Sequence, residues 1–140
     1  MMFGAKAYAS VGLETGINSA SPHRLIVMLY DGALEAIRKA KLYMDMKDTI
    51  QKAQAIDKAL RIINEGLAAS LNRNEGGQLA EQLLALYEYI GNELVSANAK
   101  NDVERLDNCT KLLEDLRSAW CEIGNTPSQS AALPTTTNAY

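Results

Sequence analysis

Histidine occurs once in this 140-residue chain, tryptophan once, cysteine twice and proline three times. The lone His23 has no second histidine at metal-ligand spacing, so a metal centre would have to be assembled from scattered carboxylates, and none is expected. Cys109 and Cys121 stand apart with no ligand or bridge spacing, which points to reduced thiols and excludes a disulfide framework. No apolar run reaches the roughly 18 residues of a membrane span, and the opening MMFGAKAYASVGLETG is too polar and glycine-broken for a secretory core. Stable membrane insertion and export through a signal peptide are therefore not expected, and a cytoplasmic protein is. Positive charge is scarce as well: 14 Lys and Arg against 17 Asp and Glu leave a formal charge of −3, which weighs against nucleic acid as a partner.

What is present is helical periodicity on a chain that is 47% hydrophobic, enough to bury a core. Ser21 before Pro22 is a helix entry, since the hydroxyl can accept an unpaired backbone N–H and proline at the first helical position loses no bond. The first helix is predicted to run to about Met44. Asp48 with Gln51, and Asn101 with Glu104, have the spacing of reciprocal caps and place the starts of the second and fourth helices. LNRNEGGQ at 71–78 is rich in turn formers and separates the second helix from a third that ends near Ala99. Short connections make antiparallel neighbours, so the expected fold class is all-α, an antiparallel four-helix bundle over residues 21–123.

Each segment carries an apolar stripe at three-four spacing: Leu25, Leu29, Ala33, Ala36 and Ala40; Ala53, Ile56, Leu60, Ile63, Leu67 and Leu71; Leu79, Leu83, Leu86, Ile90, Leu94 and Ala97; Leu106, Cys109, Leu113, Leu116 and Trp120. The ends of the chain differ. Residues 1–20 hold Phe3, Tyr8, Val11, Leu13 and Ile17 among glycines, and read as a mobile cover lying on the bundle through a few apolar anchors. Residues 124–140 have two prolines, a threonine run and no charge, and read as a disordered tail.

No active site emerges. Glu14, Glu88, Glu93, Glu114 and Asp115 suit solvated positions, both cysteines occupy or adjoin buried helical positions, and the glycines of NEGGQ lack the strand and lysine of a phosphate loop. No catalytic residue and no cofactor is assigned.

The notable feature is excess apolar surface. A second line of Ala59, Ile62, Gly66 and Ala69 runs beside the stripe of the second helix, the first helix adds Ile26 and Tyr30, and the third adds Ala80, Leu84, Tyr87 and Val95. A bundle is not expected to turn all of these inward. Small side chains at Gly32, Ala33, Ala59 and Gly66 would keep the surface low between larger ridges, forming a groove for a helix, although tight packing of the bundle's own helices accounts equally for the same residues. The groove and its cover are assigned to Tyr8, Val11, Ile17, Ile26, Leu29, Tyr30, Gly32, Ala33, Ile62, Gly66, Leu84 and Tyr87. Asp31 is expected at the rim, accepting bonds from a backbone or side-chain donor.

The run SASPHRLIVMLYDGA at 19–33 closely resembles the first-helix signature of the flagellin-specific export chaperones, the FliS family. The likeness continues through AYASVGLETGI at 7–17, KALRIINEGLAASLNRNEGGQLAEQL at 58–83, ALYEYI at 85–90, ANAKND at 97–102 and LLEDLRSAW at 112–120. The family's patterns match Ser21, Pro22, Leu25, Leu29, Tyr30, Asp31 and Gly32, then Ile62, Ile63 and Leu67, then Leu86, Tyr87 and Tyr89, and finally Trp120. The resemblance implies a cytoplasmic helical bundle that binds the disordered carboxy-terminal segment of flagellin, prevents premature polymerisation and presents the client to the flagellar type III export apparatus. It also implies an amino-terminal segment, here bearing Tyr8, Val11 and Ile17, that packs over part of the binding surface and shifts when the client binds. Two other classes remain in view: a self-associating bundle, whose apolar surface closes a dimer, and a di-metal carboxylate enzyme, for which the glutamate and histidine pairs are lacking.

Overall fold

Residues 21–125 are described by a computed structural model. They form four helices in sequence: α1 (Pro22–Asp45), α2 (Thr49–Arg61) prolonged by a π-helical segment (Ile62–Ala68), α3 (Arg73–Lys100) and α4 (Val103–Asn125). The cover assigned to residues 1–20, and residues 126–140 of the tail, lie outside the described residues. Helix α1 packs on α2 and α4, and α3 packs on the same two, closing a square in chain order. Cross-links between opposite helix ends make neighbours antiparallel: His23 of α1 meets Trp120 of α4, Lys41 meets Asp107, and Lys52 of α2 meets Asn98 of α3. This is the all-α bundle that the periodicity predicts.

Local chemistry starts and stops each helix. The Ser21 hydroxyl accepts from the Arg24 N–H at 3.1 Å, with Pro22 following as the first helical residue. At the other end of α1, Lys47 adopts φ 60°, its N–H donating to the Met44 carbonyl while the Asp48 N–H donates to that of Tyr43. That left-handed turn satisfies two of the helix's orphan carbonyls. The Asp48 carboxylate caps α2 through the Gln51 N–H at 3.2 Å. The reciprocal half of the expected cap is superseded, because the Asp48 N–H is committed to Tyr43.

A similar revision applies to α4. Its cap is Asp102, whose carboxylate accepts from the N–H groups of Glu104 and Arg105 at 3.1 and 3.4 Å. Asn101, one residue earlier, has φ 51° and closes α3. Asparagine tolerates that left-handed conformation, and aspartate is then the better anion for the next helix's N-terminus. Gly77, with φ 57° and ψ −129°, interrupts the first turns of α3 inside the predicted NEGGQ turn. Only glycine enters that region without strain.

The core is continuous through all four helices, from Leu29 and Ile37 through Ile56, Ile63 and Leu67 to Ile90, Leu94 and Leu106, each 0–1% exposed. Burying each such side chain contributes roughly 1.5–3 kcal/mol before chain entropy is subtracted. The stripes are not equally deep. Leu25, Leu60, Leu83, Leu86 and Leu116 are half-buried at its edge, while Val27 and Ile37, outside the predicted stripes, are buried. The second apolar lines do not all turn inward, as expected: Ala69, Leu84 and Val95 keep substantial contact with solvent, but Ile26, Tyr30, Ala59, Ile62, Gly66, Ala80 and Tyr87 are buried, more than a surface groove would leave. Alanines and glycine at the helix contacts let the backbones approach closely enough to cover both flanks of each stripe.

Candidate functional site

Nine of the twelve residues assigned to a groove or its cover lie within the described part of the chain; Tyr8, Val11 and Ile17 do not. Four of the nine meet directly. Gly66 lies against Leu29: a β-carbon at 66 would stand 2.6 Å from Leu29 Cδ2. The hydroxyls of Tyr30 and Tyr87 share a hydrogen bond of 2.8 Å across the interior, from α1 to α3. Ile26, Ala33 and Ile62 belong to the same core cluster, at 0–3% exposure. These seven residues are interior rather than open walls, packed where α1, α2 with its π-helical segment, and α3 meet. Gly32 and Leu84 are half-buried.

Apolar surface remains on the α2–α3 side. Leu60 is half-buried there and faces Gly91, whose β-carbon, if present, would sit 3.6 Å from Leu60 Cδ2. Val95, one turn further along α3, is 55% exposed. A buried lysine stiffens this side at its end. Lys52 is 3% exposed and donates from Nζ to the Asn98 carbonyl at 2.9 Å and to Asn101 Oδ1 at 2.6 Å. Its charge is answered by the C-terminal carbonyls of α3, where the helix dipole favours a cation. Nothing in the periodicity marked Lys52 as buried.

The α1–α4 side is different. Asp31 receives Arg117 Nε at 2.5 Å, with a second guanidinium contact at 3.5 Å, and Lys41 pairs with Asp107 at 2.5 Å. The bond to Asp31 holds the Arg117 proton more firmly than usual, against a smaller opposing effect of burial. A cleft of about 500 Å³ along this seam is lined by Asp31, Leu34, Glu114, Asp115, Arg117 and Ser118. It is a polar trough, unlike the expected apolar groove. Asp31 thus accepts from a side-chain donor as anticipated, yet its partner is 86 residues away in sequence and no local pattern could have named it.

At the end of this seam, the imidazole of His23 stacks on the Trp120 indole with centroids 4.8 Å apart and 14° between planes. His23 Nε2 donates to the Trp120 carbonyl at 2.7 Å, and Trp120 Nε1 donates to the His23 carbonyl at 3.0 Å. The reciprocal pair fixes the start of α1 to the end of α4. Cys109 is buried with its Sγ 3.7 Å from the Ile90 carbonyl, and burial, reinforced by the Glu93 charge, pushes its thiol up to about 12. Such a thiol is a core residue rather than a nucleophile. Among the described residues there is no group of three or more His, Cys, Asp or Glu placed to hold a metal ion, and no helix long and apolar enough to cross a membrane.

Comparison with known proteins reaches almost the whole chain. The model of the family described as "Flagellar protein FliS" matches residues 4–127. A flagellar secretion chaperone FliS from Salmonella typhimurium is 42% identical over 120 residues, covering 86% of this chain and 89% of the relative. A flagellar secretion chaperone FliSB from Pseudomonas aeruginosa is 40% identical over 115 residues, 82% of this chain and 90% of the relative. One from Bacillus subtilis is 37% identical over 107 residues, 76% and 78% of the respective chains.

Proposed function

Because the chain belongs to the FliS family, whose relatives are named flagellar secretion chaperones, we propose that it is a cytosolic, ATP-independent holdase for the disordered carboxy-terminal segment of flagellin. The observation that carries this reading is the contrast between the polar, ion-paired α1–α4 seam and the apolar α2–α3 side, where Leu60, Leu84 and Val95 flank Gly91. A client helix laid there buries its own apolar face, and that burial offsets the entropy the disordered segment loses on folding. Ile26, Leu29, Tyr30, Ala33, Ile62, Gly66 and Tyr87 form the packed floor behind this surface, and Tyr8, Val11 and Ile17 belong to the cover that yields to the client; Gly32, on α1, is half-buried.

Occupying a polymerisation surface blocks filament growth by occlusion, with no covalent step. Release falls to the flagellar type III export apparatus, to which the complex is delivered. Isothermal titration with full-length flagellin and with flagellin lacking its carboxy-terminal segment tests the reading. Binding of the first alone, with a negative heat-capacity change, is expected; equal binding of both, or of neither, overturns it.

One observation favours a second reading. Leu42, Met46, Ile50 and Val103, exposed by 43–71%, all lie near the end of the bundle formed by the α1–α2 and α3–α4 connections. A self-associating bundle would use such a patch, and a molar mass that rises with concentration in the absence of flagellin is its signature.

A further inference from the structure

Helix α2 does not end where its α-helical bonding ends: it continues for seven residues, Ile62–Ala68, as a π-helix. Wide turns of this kind are rare, are usually a single turn long, and concentrate where a helix has a task beyond packing. Each i→i+5 ring encloses one residue more than the i→i+4 ring of an α-helix, so the segment holds about one residue more than an α-helix covering the same rotation. Both ends are committed to the core. Before the segment Ile56 and Ala59 are buried; its own Gly66 and Leu67 are buried near its end, and Ser70 just after it is buried, with the Ser70 hydroxyl donating to the Leu67 carbonyl at 2.8 Å. The surplus is stored between them, on the outside, where Asn64 and Glu65 are exposed.

The closest contact of the wide segment is at Gly66. Leu29 of α1 occupies the space in which a β-carbon at position 66 would stand, 2.6 Å away. The side chain of one helix is seated on the bare backbone of the other. Beyond the segment, residues 69–72 form a short connection, and Gly77 breaks the start of α3, so the chain that follows can absorb a small displacement.

We propose that Ile62–Ala68 is a one-residue register store latched by Leu29 on Gly66. When Leu29 is displaced, the segment tightens to α-helical bonding, and the chain after Ala68 turns by about 100°, the rotation of one residue. The connection from α2 to α3 moves with it. The device is a property of the free protein, and its test requires no client.

Deletion of the exposed Asn64 removes the stored residue and restores α-helical phase downstream, whereas deletion of Gln54, also exposed but in the regular part of α2, throws the buried positions between it and the segment, Ile56 and Ala59, out of phase. Circular dichroism, urea unfolding and hydrogen exchange are measured on the wild type and both deletions. The expected result is a cooperatively folded Asn64 deletion in which the amides of residues 66–72 exchange at least tenfold more slowly than in the wild type, other helices being unchanged, with the Gln54 deletion unfolded or strongly destabilised. If the two deletions are equally disruptive, no residue is stored and the proposal fails. If the Asn64 deletion folds but exchange at 66–72 is unchanged, the wide turn is static packing, and the proposal fails on that ground too.

Discussion

The two seams that flank the bundle are built by opposite means. Between α1 and α4, contact is made by named polar partners: Asp31 with Arg117, Lys41 with Asp107, and His23 with Trp120 in a reciprocal pair. Between α2 and α3, apart from Lys52 at one end, Leu60 lies over Gly91, with Leu84 half-buried and Val95 largely exposed. Directional bonds set register and leave little apolar surface for another chain, while apolar surface without directional partners accepts any helix of suitable shape. The first seam is a strut, and the second is the surface we propose for the client.

The largest way to break this contrast is at the strut's aromatic end. Trp120→Ala removes the stacking on His23 and the bond to its carbonyl, and is expected to cost about 3–5 kcal/mol in urea unfolding. A loss below about 1 kcal/mol would mean that the clasp does not hold the seam.

The interior between the seams responds to pH through Cys109. Its thiol is held up to about 12 from an ordinary 9.0 by burial, so the folded chain keeps a proton that the unfolded chain releases. This contribution is fully present below about pH 9 and is lost as pH rises toward about 12, an effect on the order of a few kcal/mol. Cys109→Ala should flatten that stretch of the stability profile, apart from a pH-independent offset.

At the floor behind the second seam, Gly66→Ala places a β-carbon against the buried Leu29 and is expected to cost roughly 1–3 kcal/mol despite alanine's better helix propensity. Stability equal to the wild type would show that Leu29 gives way freely. The ion pair of the strut is worth less. Both side chains of Asp31 and Arg117 are more than a third exposed, so a double-mutant cycle with Asp31→Asn and Arg117→Gln should return no more than about 1 kcal/mol, decreasing with added salt. Smallest on stability is Val95→Asp, within about 0.5 kcal/mol because the site is exposed. Flagellin affinity should nonetheless fall at least tenfold, which sharpens the comparison: the same change on the strut, at exposed Ser118, should leave binding unaltered.

Much of the fold was legible because helix chemistry is local. Ser21–Pro22, Asp48 and the NEGGQ turn lie where they act, and three-four spacing locates Ile56, Ile63, Ile90 and Leu106 on buried faces without knowledge of what covers them. The α4 cap was misplaced by one residue, because Asn101 and Asp102 are both good caps and only the left-handed turn at Asn101 assigns their roles. The proposed binding surface was harder to read. Amphipathicity identifies a wide apolar face but not which flank of it a neighbour will cover, so Tyr30 and Tyr87 read as groove although they meet in the interior.

By itself, then, the sequence determined the helices, most of their ends, the all-α class and the family, because each depends on residues within a few positions of one another or on a pattern shared with relatives. Tertiary structure alone decided that Arg117 answers Asp31, that Trp120 answers His23, that Lys52 lies buried on the end of α3, and that Leu29 sits on Gly66 in a widened turn. Those pairings span distances along the chain that no local propensity encodes, and they exist only once the backbones have approached closely enough for side chains to choose their partners.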